Sequence, residues 1–265
     1  MASPQRIRQD PSQHLVQGRT AASTAVVWDA LEKVLHEVHR DNTAAVIDIG
    51  GGTGGLAVRV AELGHPVTVI DPSPDALAAL ARRAEERAVA DLVTGQQGDL
   101  AGLLDQVGEA SADVVLCHGV LEVVDDPSAA LAVLARALRP GGVLSLLVGQ
   151  RHAAVVARAM AGHFASARTL LAETPGSDAG PDAGPDAGAS TRRFTAEEIT
   201  ALLDDTGFET TAVHAVRVFA DLVPSSLVDL EPGAALALVE LERAVATRPE
   251  YLTLATQLHL LATRR

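Results

Sequence analysis

The chain has 265 residues and a mass of 27.4 kDa, enough to bury the core of one α/β domain but too little for a second catalytic domain. Its formal net charge of −13 disfavours non-specific binding to nucleic acid or to an anionic membrane. The single cysteine excludes an intramolecular disulfide, and the histidines have no metal-like spacing with cysteines, so we expect no metal site. No apolar run approaches the roughly 18 residues of a membrane span, and the N-terminus lacks an apolar signal core. We therefore expect a soluble, cytoplasmic protein.

The N-terminal region is predicted to be helical. Residues 1 to 12 are polar, whereas residues 14 to 40 place apolar side chains on one helical face. A helical preface over residues 1–40 therefore precedes a main domain over residues 41–265.

A glycine-rich loop follows the first predicted strand. The apolar run from Val46 to Ile49 ends at Gly50, and a second apolar run ends at Asp71. A strand, a glycine loop, a helix and a second strand ending in an acid form the βαβ arrangement of adenosine-cofactor sites. Glycines let the backbone approach a ligand, and a helix predicted to begin near Thr53 directs free N–H groups at it. Asp71 can accept hydrogen bonds from both ribose hydroxyls. The predicted loop contacts are Gly50, Gly51, Gly52 and Gly54.

This loop is compatible with two kinds of cofactor. Gly50, Gly52 and Gly55 also satisfy the G-x-G-x-x-G pattern of dinucleotide sites. Asp48, just before the loop, would repel a pyrophosphate but suits the cationic ammonium group of S-adenosylmethionine. The sequence therefore favours S-adenosylmethionine and leaves an NAD(P)-dependent oxidoreductase as an alternative.

A second βαβ unit follows. Residues 113–118 form an apolar strand that ends in Cys117 and His118, and both side chains are expected at the same crevice. Asp126-Pro127 then predicts a capped helix start, and another strand is predicted at 143–148.

The remaining elements follow from the same periodicities. Helical patterns lie at 54–63, 75–88, 128–138, 152–164, 195–205 and 233–246. Thr195 and Glu198 form a predicted capping box. A Pro-Asp-Ala-Gly repeat within about 176–190 has low complexity and predicts a loop. The last strands are predicted at 208–220 and 251–262.

Together these motifs resemble the class I S-adenosylmethionine-dependent methyltransferases. The resemblance rests, along roughly 44–150, on Asp48-x-Gly50-Gly51-Gly52-x-Gly54, Asp71, Gly98-Asp99-Leu100 and Leu138-Arg139-Pro140-Gly141-Gly142. It implies an α/β, Rossmann-like fold, with a seven-stranded, mostly parallel sheet, an antiparallel C-terminal hairpin and helices on both faces. It also implies that residues 1–40 form a lid on the methyltransferase domain, 41–265, and that S-adenosylmethionine is the cofactor.

The same resemblance implies roles for individual residues. Asp71 corresponds to the ribose acid, Gly98 and Asp99 to the adenine-side motif, and His118 to a contact with the adenosine or methionine portion of the cofactor. A catalytic-base role for His118 would require an acceptor with a removable proton. Related enzymes carry a preface arginine that is absent at the aligned position, and Arg19, one helical turn earlier, is its candidate replacement.

A closer resemblance to the bacterial tRNA 5-carboxymethoxyuridine methyltransferases extends over most of the chain. It rests on stretches at 28–35, 118–122, 142–146, 216–219 and 251–254. It implies methylation of a carboxylate on a modified wobble uridine, with the tRNA anticodon loop as partner. A small-molecule carboxylate or hydroxyl acceptor is the first alternative, and a non-catalytic cofactor-binding regulator is a further one.

Arginines are the candidates to hold an acceptor carboxylate. Such a carboxylate is already ionised at neutral pH and needs positive charge rather than a general base. Arg217 is the first candidate for this clamp, because a guanidinium matches the two carboxylate oxygens. Arg192 and Arg193 are weaker candidates, and Glu122 is expected either to orient His118 or to cap the next turn.

Overall fold

The computed structural model of the protein describes residues 11–38, 43–172, 192–230 and 232–265. For residues 11–23, 225, 229 and 230 only the backbone is described. The predicted cofactor contact of Arg19 therefore lies outside the described side chains. The predictions for residues 1–10 and for the low-complexity segment at 176–190 also lie outside the described residues.

Seven strands form one sheet. They are β1 (Val46–Ile49), β2 (Val67–Asp71), β3 (Val93–Gln97), β4 (Ala112–His118), β5 (Leu138–Gly149), β6 (Phe208–Val216) and β7 (Gln257–Arg264). Their order is β3-β2-β1-β4-β5-β7-β6, and all pairs are parallel except those of β7 with β5 and β6. The predicted Rossmann-like sheet with an antiparallel C-terminal hairpin is confirmed.

Helices cover both faces of this sheet. They are α1 (Pro11–Val38), α2 (Ala57–Glu62), α3 (Pro74–Glu86), α4 (Leu103–Val107), α5 (Pro127–Ala137), α6 (Arg151–Met160), α7 (Phe164–Ala172), α8 (Ala196–Asp205), α9 (Ser225–Leu230), α10 (Ala234–Val245) and α11 (Pro249–Leu252). One buried cluster joins α1, α2 and α3 to one face, and another joins α4, α5 and α8 to the opposite face. The predicted helical layers on both faces are therefore confirmed.

The central strands are buried on both faces, which explains their continuous apolar sequences. Every residue of β1 is buried. Val46 pairs in parallel with Val67 of β2 on one side and with Val114 of β4 on the other. The carboxyl ends of these strands therefore meet at one edge, where open α/β sheets bind their ligands.

Helix starts agree with the predicted caps. The Thr195 hydroxyl accepts a hydrogen bond from the Glu198 N–H at 3.2 Å, and the Glu198 carboxylate accepts one from the Thr195 N–H at 2.9 Å. Asp126 caps α5 by accepting hydrogen bonds from the backbone of Ser128 and Ala129. Both caps satisfy N–H groups that a helix leaves without an internal partner.

Two predicted helix boundaries are wrong. The helix expected near Thr53 begins at Ala57, because turns occupy the segment before it. The helix predicted at 152–164 is two helices, α6 and α7, separated at Gly162, whose φ is 80°. Glycine readily adopts this conformation and ends α6 there.

The last two strands also differ from their predictions. The strand predicted at 208–220 ends at Val216, because Arg217 has a φ of 61° and cannot continue an extended chain. The strand predicted at 251–262 begins only at Gln257, because Pro249 starts the short helix α11.

From residue 24 onward, α1 is a core helix. Leu31 and Leu35 are fully buried. The guanidinium of Arg59 lies 3.7 Å from the centre of the Trp28 ring, a cation–π contact. The predicted lid function of residues 1–40 stays a prediction. Among the described helices, none combines the length and apolarity needed to cross a membrane.

Candidate active site

The glycine loop after β1 has backbone conformations that favour glycine. Gly50, Gly52 and Gly54 have φ values of 69°, 53° and 74°. A Cβ on Gly50 would lie 2.4 Å from Val120 Cγ2, and one on Gly54 would lie 2.0 Å from Leu80 Cδ1. Strain and steric contact therefore both exclude side chains, which leaves bare backbone at this edge of the sheet.

Asp71 joins the end of β2 to this loop. Its Oδ2 accepts a hydrogen bond from Gly52 N–H at 2.9 Å, and its Oδ1 accepts one from Ser73 N–H at 2.9 Å. The carboxylate is nearly buried, with the residue 8% exposed. A carboxylate oxygen has two lone pairs, so each oxygen retains one for a ligand hydroxyl. This geometry fits the predicted role of Asp71 at a ribose.

Asp48 lies beneath the same loop and is 4% exposed. A Cβ on Gly51 would lie 2.5 Å from Asp48 Oδ2, so only glycine admits the carboxylate this close to the backbone. Burial, and to a smaller extent repulsion by Asp71, raises the pKa of Asp48 to about 7. A cation bound nearby would favour the ionised form.

The adenine-side motif follows β3. Gly98 N–H donates to the backbone carbonyl of Asp71 at 3.2 Å, which brings this motif to the same edge of the sheet. Asp99 is exposed, and its Oδ1 accepts a hydrogen bond from Gly102 N–H at 3.0 Å. Asp99 thus stabilises the turn before α4, and its contact with adenine stays a prediction.

His118 belongs to a row of polar side chains, half-buried at His118 and His214 and buried at Ser145 and His259, that crosses β4, β5, β7 and β6. Its Nε2 lies 2.9 Å from Ser145 Oγ, which in turn lies 2.8 Å from His259 Nε2. The His259 ring stacks on His214, with ring centres 5.3 Å apart. Burial lowers the pKa of His118 to about 4, so the ring is neutral at pH 7. Its Nε2 is engaged in the row, which leaves Nδ1 and the ring carbons for the predicted ligand contact.

The expectation that Cys117 faces the crevice beside His118 is wrong. Cys117 is fully buried in the apolar cluster beneath α5. Adjacent residues of a strand point to opposite faces of the sheet, so only one of the two can face the crevice side. Burial also raises the pKa of the Cys117 thiol, which keeps it protonated. Within the described part of the chain, no group of side chains is arranged to hold a metal ion.

A cavity of about 240 Å³ lies at the carboxyl ends of β4 and β5, beside the end of β6. We call it the arginine cavity; its lining includes Gly119, Glu122, Gly149, Arg192, Arg193 and Arg217. All three arginines that the sequence suggested for an acceptor carboxylate therefore line one cavity. The segment that contributes Gly119 and Glu122 to the lining also borders the glycine loop, since a Cβ on Gly50 would lie 2.4 Å from Val120 Cγ2.

Arg192 has a structural task in this cavity. Its guanidinium donates to the backbone carbonyls of Val124 and Asp125 at 2.8 and 3.3 Å, which fixes the turn before α5. Arg193 lies closer to the end of β5, since a Cβ on Gly149 would be 3.1 Å from its Nη1.

Arg217 is held in a specific orientation. Its carbonyl accepts hydrogen bonds from the N–H and the hydroxyl of Thr256 at 3.3 and 3.1 Å. Its Nη2 forms an ion pair with Asp221 Oδ1 at 2.5 Å. Its Nε is buried and has no hydrogen-bond partner among the described residues. The guanidinium therefore retains donor capacity that Asp221 does not use.

Sequence reasoning did not identify Glu122 as a residue of the arginine cavity. Its Oε1 accepts a hydrogen bond from Gly149 N–H at 2.8 Å. No hydrogen bond joins it to His118 in the described structure, so the expected orienting contact is absent. The available signal was its place in the chain: it follows the carboxyl end of β4, where this fold collects functional groups.

Comparison with known proteins identifies the class of enzyme. Residues 47–144 match the family described as "Methyltransferase domain". The tRNA 5-carboxymethoxyuridine methyltransferase of Escherichia coli (strain K12) is 30% identical over 250 residues, which cover 90% of this chain and 86% of the relative. The chain belongs to the class I S-adenosylmethionine-dependent methyltransferases. Within that class it resembles the tRNA 5-carboxymethoxyuridine methyltransferases, as the sequence motifs predicted.

Other relatives and solved structures agree with this class. The ubiquinone biosynthesis O-methyltransferase of Xanthomonas oryzae pv. oryzae (strain PXO99A) is 38% identical over 128 residues, 48% of this chain and 52% of the relative. The magnesium protoporphyrin IX methyltransferase of Synechocystis PCC 6803 with bound S-adenosylhomocysteine has a TM-score of 0.59 at 19% identity, covering 100% of this chain and 90% of that one. Geranyl diphosphate methyltransferase has a TM-score of 0.59 at 17% identity, covering 97% and 92%. The solved structures share the fold of this chain, and the family match together with the relative that covers 90% of the chain favours S-adenosylmethionine over the dinucleotide alternative.

The raised pKa of Asp48 predicts that cofactor binding depends on pH. If ionised Asp48 faces the cofactor ammonium, the Kd for S-adenosylmethionine is expected to fall about tenfold between about pH 6 and pH 8. The folded-state pKa of about 7 exceeds the unfolded value of 3.8. The stability that Asp48 contributes is therefore present at low pH and lost as the pH rises through about 7. Isothermal titration calorimetry across this range measures the Kd.

The control for this prediction is the isosteric variant Asp48→Asn. It is expected to bind with a Kd that changes little with pH and to be more stable than the wild type above about pH 7. Asp75→Asn, which alters an exposed carboxylate on α3, is expected to keep the wild-type slope. An equal slope in wild type and Asp48→Asn would contradict the role of Asp48.

Proposed function

We propose that this methyltransferase methylates a carboxylate oxygen, and that its acceptor is the 5-carboxymethoxyuridine at the wobble position of tRNA. The observation that carries the proposal is the arginine cavity, which is lined by Arg217, Arg193 and Arg192 at the carboxyl ends of β4 and β5. The relative that covers 90% of this chain supports the choice of acceptor.

The chemistry of such a reaction requires little beyond binding and orientation. S-adenosylmethionine, when bound, supplies a methyl group activated by a sulfonium. A carboxylate acceptor is ionised at neutral pH and attacks without losing a proton, so proximity and electrostatics supply most of the rate. Arg217 would hold the acceptor carboxylate through N–H groups that its ion pair with Asp221 leaves free.

Charge distribution is consistent with recognition of a single nucleotide. The formal net charge of −13 predicts weak contact with a phosphate backbone as a whole. The arginines of the cavity provide local positive charge where an unpaired anticodon-loop nucleotide could enter. Because the proposed acceptor is tRNA, we expect the enzyme to act in the cytoplasm.

Methyl transfer to defined tRNAs tests the proposal. Purified enzyme and radiolabelled S-adenosylmethionine would be incubated with tRNA that carries 5-carboxymethoxyuridine, with unmodified tRNA and Asp71→Ala enzyme as controls. Label on the modified tRNA alone, dependent on intact Asp71, is the expected result. Label on unmodified tRNA would contradict a carboxylate acceptor, and absence of label despite confirmed cofactor binding would contradict the tRNA acceptor.

A small-molecule carboxylate or hydroxyl is the second candidate acceptor. The 38% identity to a ubiquinone biosynthesis O-methyltransferase favours it, although that match spans only 48% of this chain. Such an acceptor would use the same cavity, and a hydroxyl would in addition need a group that removes its proton.

A further inference from the structure

An unpartnered carboxylate oxygen lies in the arginine cavity. The Oε1 of Glu122 accepts a hydrogen bond from Gly149 N–H, whereas its Oε2 is buried and has no partner within the described part of the chain. Leaving a polar atom buried without a hydrogen bond costs free energy, so such atoms point to a missing proton or ligand. Oε2 is therefore the atom of this carboxyl group that a bound acceptor would meet.

The charged and titratable groups around Glu122 come from three parts of the sheet edge. Arg192 and Arg193 precede α8, Arg217 follows β6, and the Cys117 thiol lies on β4. Burial raises the pKa of Glu122, whereas hydrogen bonds from the backbone N–H groups of Glu122 itself and of Gly149, and then attraction to Arg193, lower it by smaller amounts. The net effect is a pKa above the ordinary value of a glutamate, in a cavity whose other charged side chains are arginines.

We propose that Glu122 is a specificity-determining residue that carries a proton on Oε2 and donates it in a hydrogen bond to an anionic acceptor oxygen. This inference rests on the proposed function, because it describes how the same cavity selects a carboxylate. Gly149 N–H occupies Oε1, so the proton belongs on Oε2. An ionised Glu122 would repel an acceptor carboxylate, whereas the neutral group binds it alongside Arg217.

The proton of Glu122 is not consumed in methyl transfer. A carboxylate oxygen of the acceptor forms the new bond to the methyl carbon as the carbon–sulfur bond breaks, and the electron pair of that bond stays on sulfur. The acceptor becomes a neutral ester, so no proton enters or leaves. Glu122 therefore acts in binding and discrimination rather than as a general acid or base.

Glu122→Gln and Glu122→Ala separate this role from a structural one. Glutamine is nearly isosteric with the protonated acid: its oxygen can accept from Gly149 N–H, and its amide N–H replaces the Oε2 proton. With tRNA carrying 5-carboxymethoxyuridine, we expect Glu122→Gln to keep KM within about twofold at neutral pH, and Glu122→Ala to raise it about tenfold. The wild-type KM should rise with pH as Glu122 ionises, and the Glu122→Gln KM should not.

Two kinetic outcomes would overturn the inference. A loss of kcat in Glu122→Gln with unchanged KM would mean that Glu122 acts ionised, as a base for a hydroxyl acceptor. Identical pH profiles of KM in wild type and Glu122→Gln would mean that its role is structural. Glu86→Gln, an exposed change on α3, is the matched control.

A second measurement needs no acceptor and separates the inference from the proposed function. In enzyme labelled with ¹³C at glutamate carboxyl carbons, the resonance missing from Glu122→Gln identifies Glu122, and its titration reports the pKa directly. A pKa above the ordinary range of glutamate is expected, and an ordinary pKa would overturn the inference. Absence of turnover on the tRNA, with a raised pKa for Glu122, would instead refute the proposed acceptor. The inference that a protonated Glu122 binds an anion in this cavity would then still stand.

Discussion

Replacing Asp71 by alanine is expected to weaken binding of S-adenosylmethionine about 100-fold or more. The variant loses the acceptors proposed for both ribose hydroxyls, and hydrogen bonds to a charged group contribute about 1.5–3 kcal/mol each. It also loses the two bonds, of 2.9 Å each, that hold Gly52 N–H and Ser73 N–H. The loop would then have to be ordered when the cofactor binds. Isothermal titration calorimetry with S-adenosylmethionine and with S-adenosylhomocysteine measures the change.

Two further variants distinguish a lost contact from a lost fold. Asp71→Asn keeps one acceptor oxygen and is expected to bind with intermediate affinity. Asp75→Ala removes an exposed carboxylate from the first turn of α3 and is expected to bind like the wild type. Thermal unfolding of each variant without ligand reports the stability of the fold. Wild-type affinity in a folded Asp71→Ala enzyme would refute the ribose assignment.

The part of the fold from β1 to β2, which carries the glycine loop, was predictable because its sequence motifs are local. β1 coincides with the apolar run before Gly50, and β2 ends at Asp71 as predicted. Strands buried on both faces need continuous apolar sequence, and a glycine loop must follow at a fixed place. The predicted start of α2 was too early. Turns occupy the segment before Ala57, and the apolar pattern of the sequence does not distinguish these turns from the first turn of a helix.

The acceptor half depends on contacts between distant parts of the chain. Glu122, Arg193 and Arg217 share a cavity only because β7 inserts between β5 and β6. The sequence indicates which residues follow each strand, but the antiparallel hairpin of the last two strands came from family resemblance, and their order in the sheet was not predicted. One partner of Arg217, Asp221, is only four residues away, but the other is non-local, since Thr256 lies beyond three helices.

The row of polar side chains formed by His118, Ser145, His259 and His214 likewise could not be predicted from local sequence. Strand alternation predicts which face each side chain occupies. It does not predict that Ser145 lies between His118 and His259, because that requires the register of three strands. Sequence reasoning therefore identified His118 as a site residue without finding the bonds that hold its Nε2.

Replacing Arg217 by lysine is expected to lower kcat/KM for the carboxylate acceptor about 10- to 100-fold. Lysine preserves the charge but not the planar pair of N–H donors, and a charge-assisted hydrogen bond contributes about 1.5–3 kcal/mol. The Kd for S-adenosylmethionine is expected to stay unchanged, because Arg217 lies on the acceptor side of the site. Steady-state kinetics with tRNA carrying 5-carboxymethoxyuridine, together with calorimetry, measure both quantities.

The ion pair with Asp221 provides the complementary variant. Asp221 holds Nη2 of Arg217 at 2.5 Å and so competes with an acceptor carboxylate for the same guanidinium. Asp221→Asn removes that competing charge, so KM for the acceptor is expected to fall. Arg82→Lys, on the exposed side of α3, should change neither this KM nor the Kd for the cofactor. Wild-type kcat/KM in Arg217→Lys would refute the clamp. Equal loss of cofactor and acceptor binding would instead place Arg217 in the cofactor site, because a clamp specific for the acceptor has no contact through which to alter the cofactor Kd.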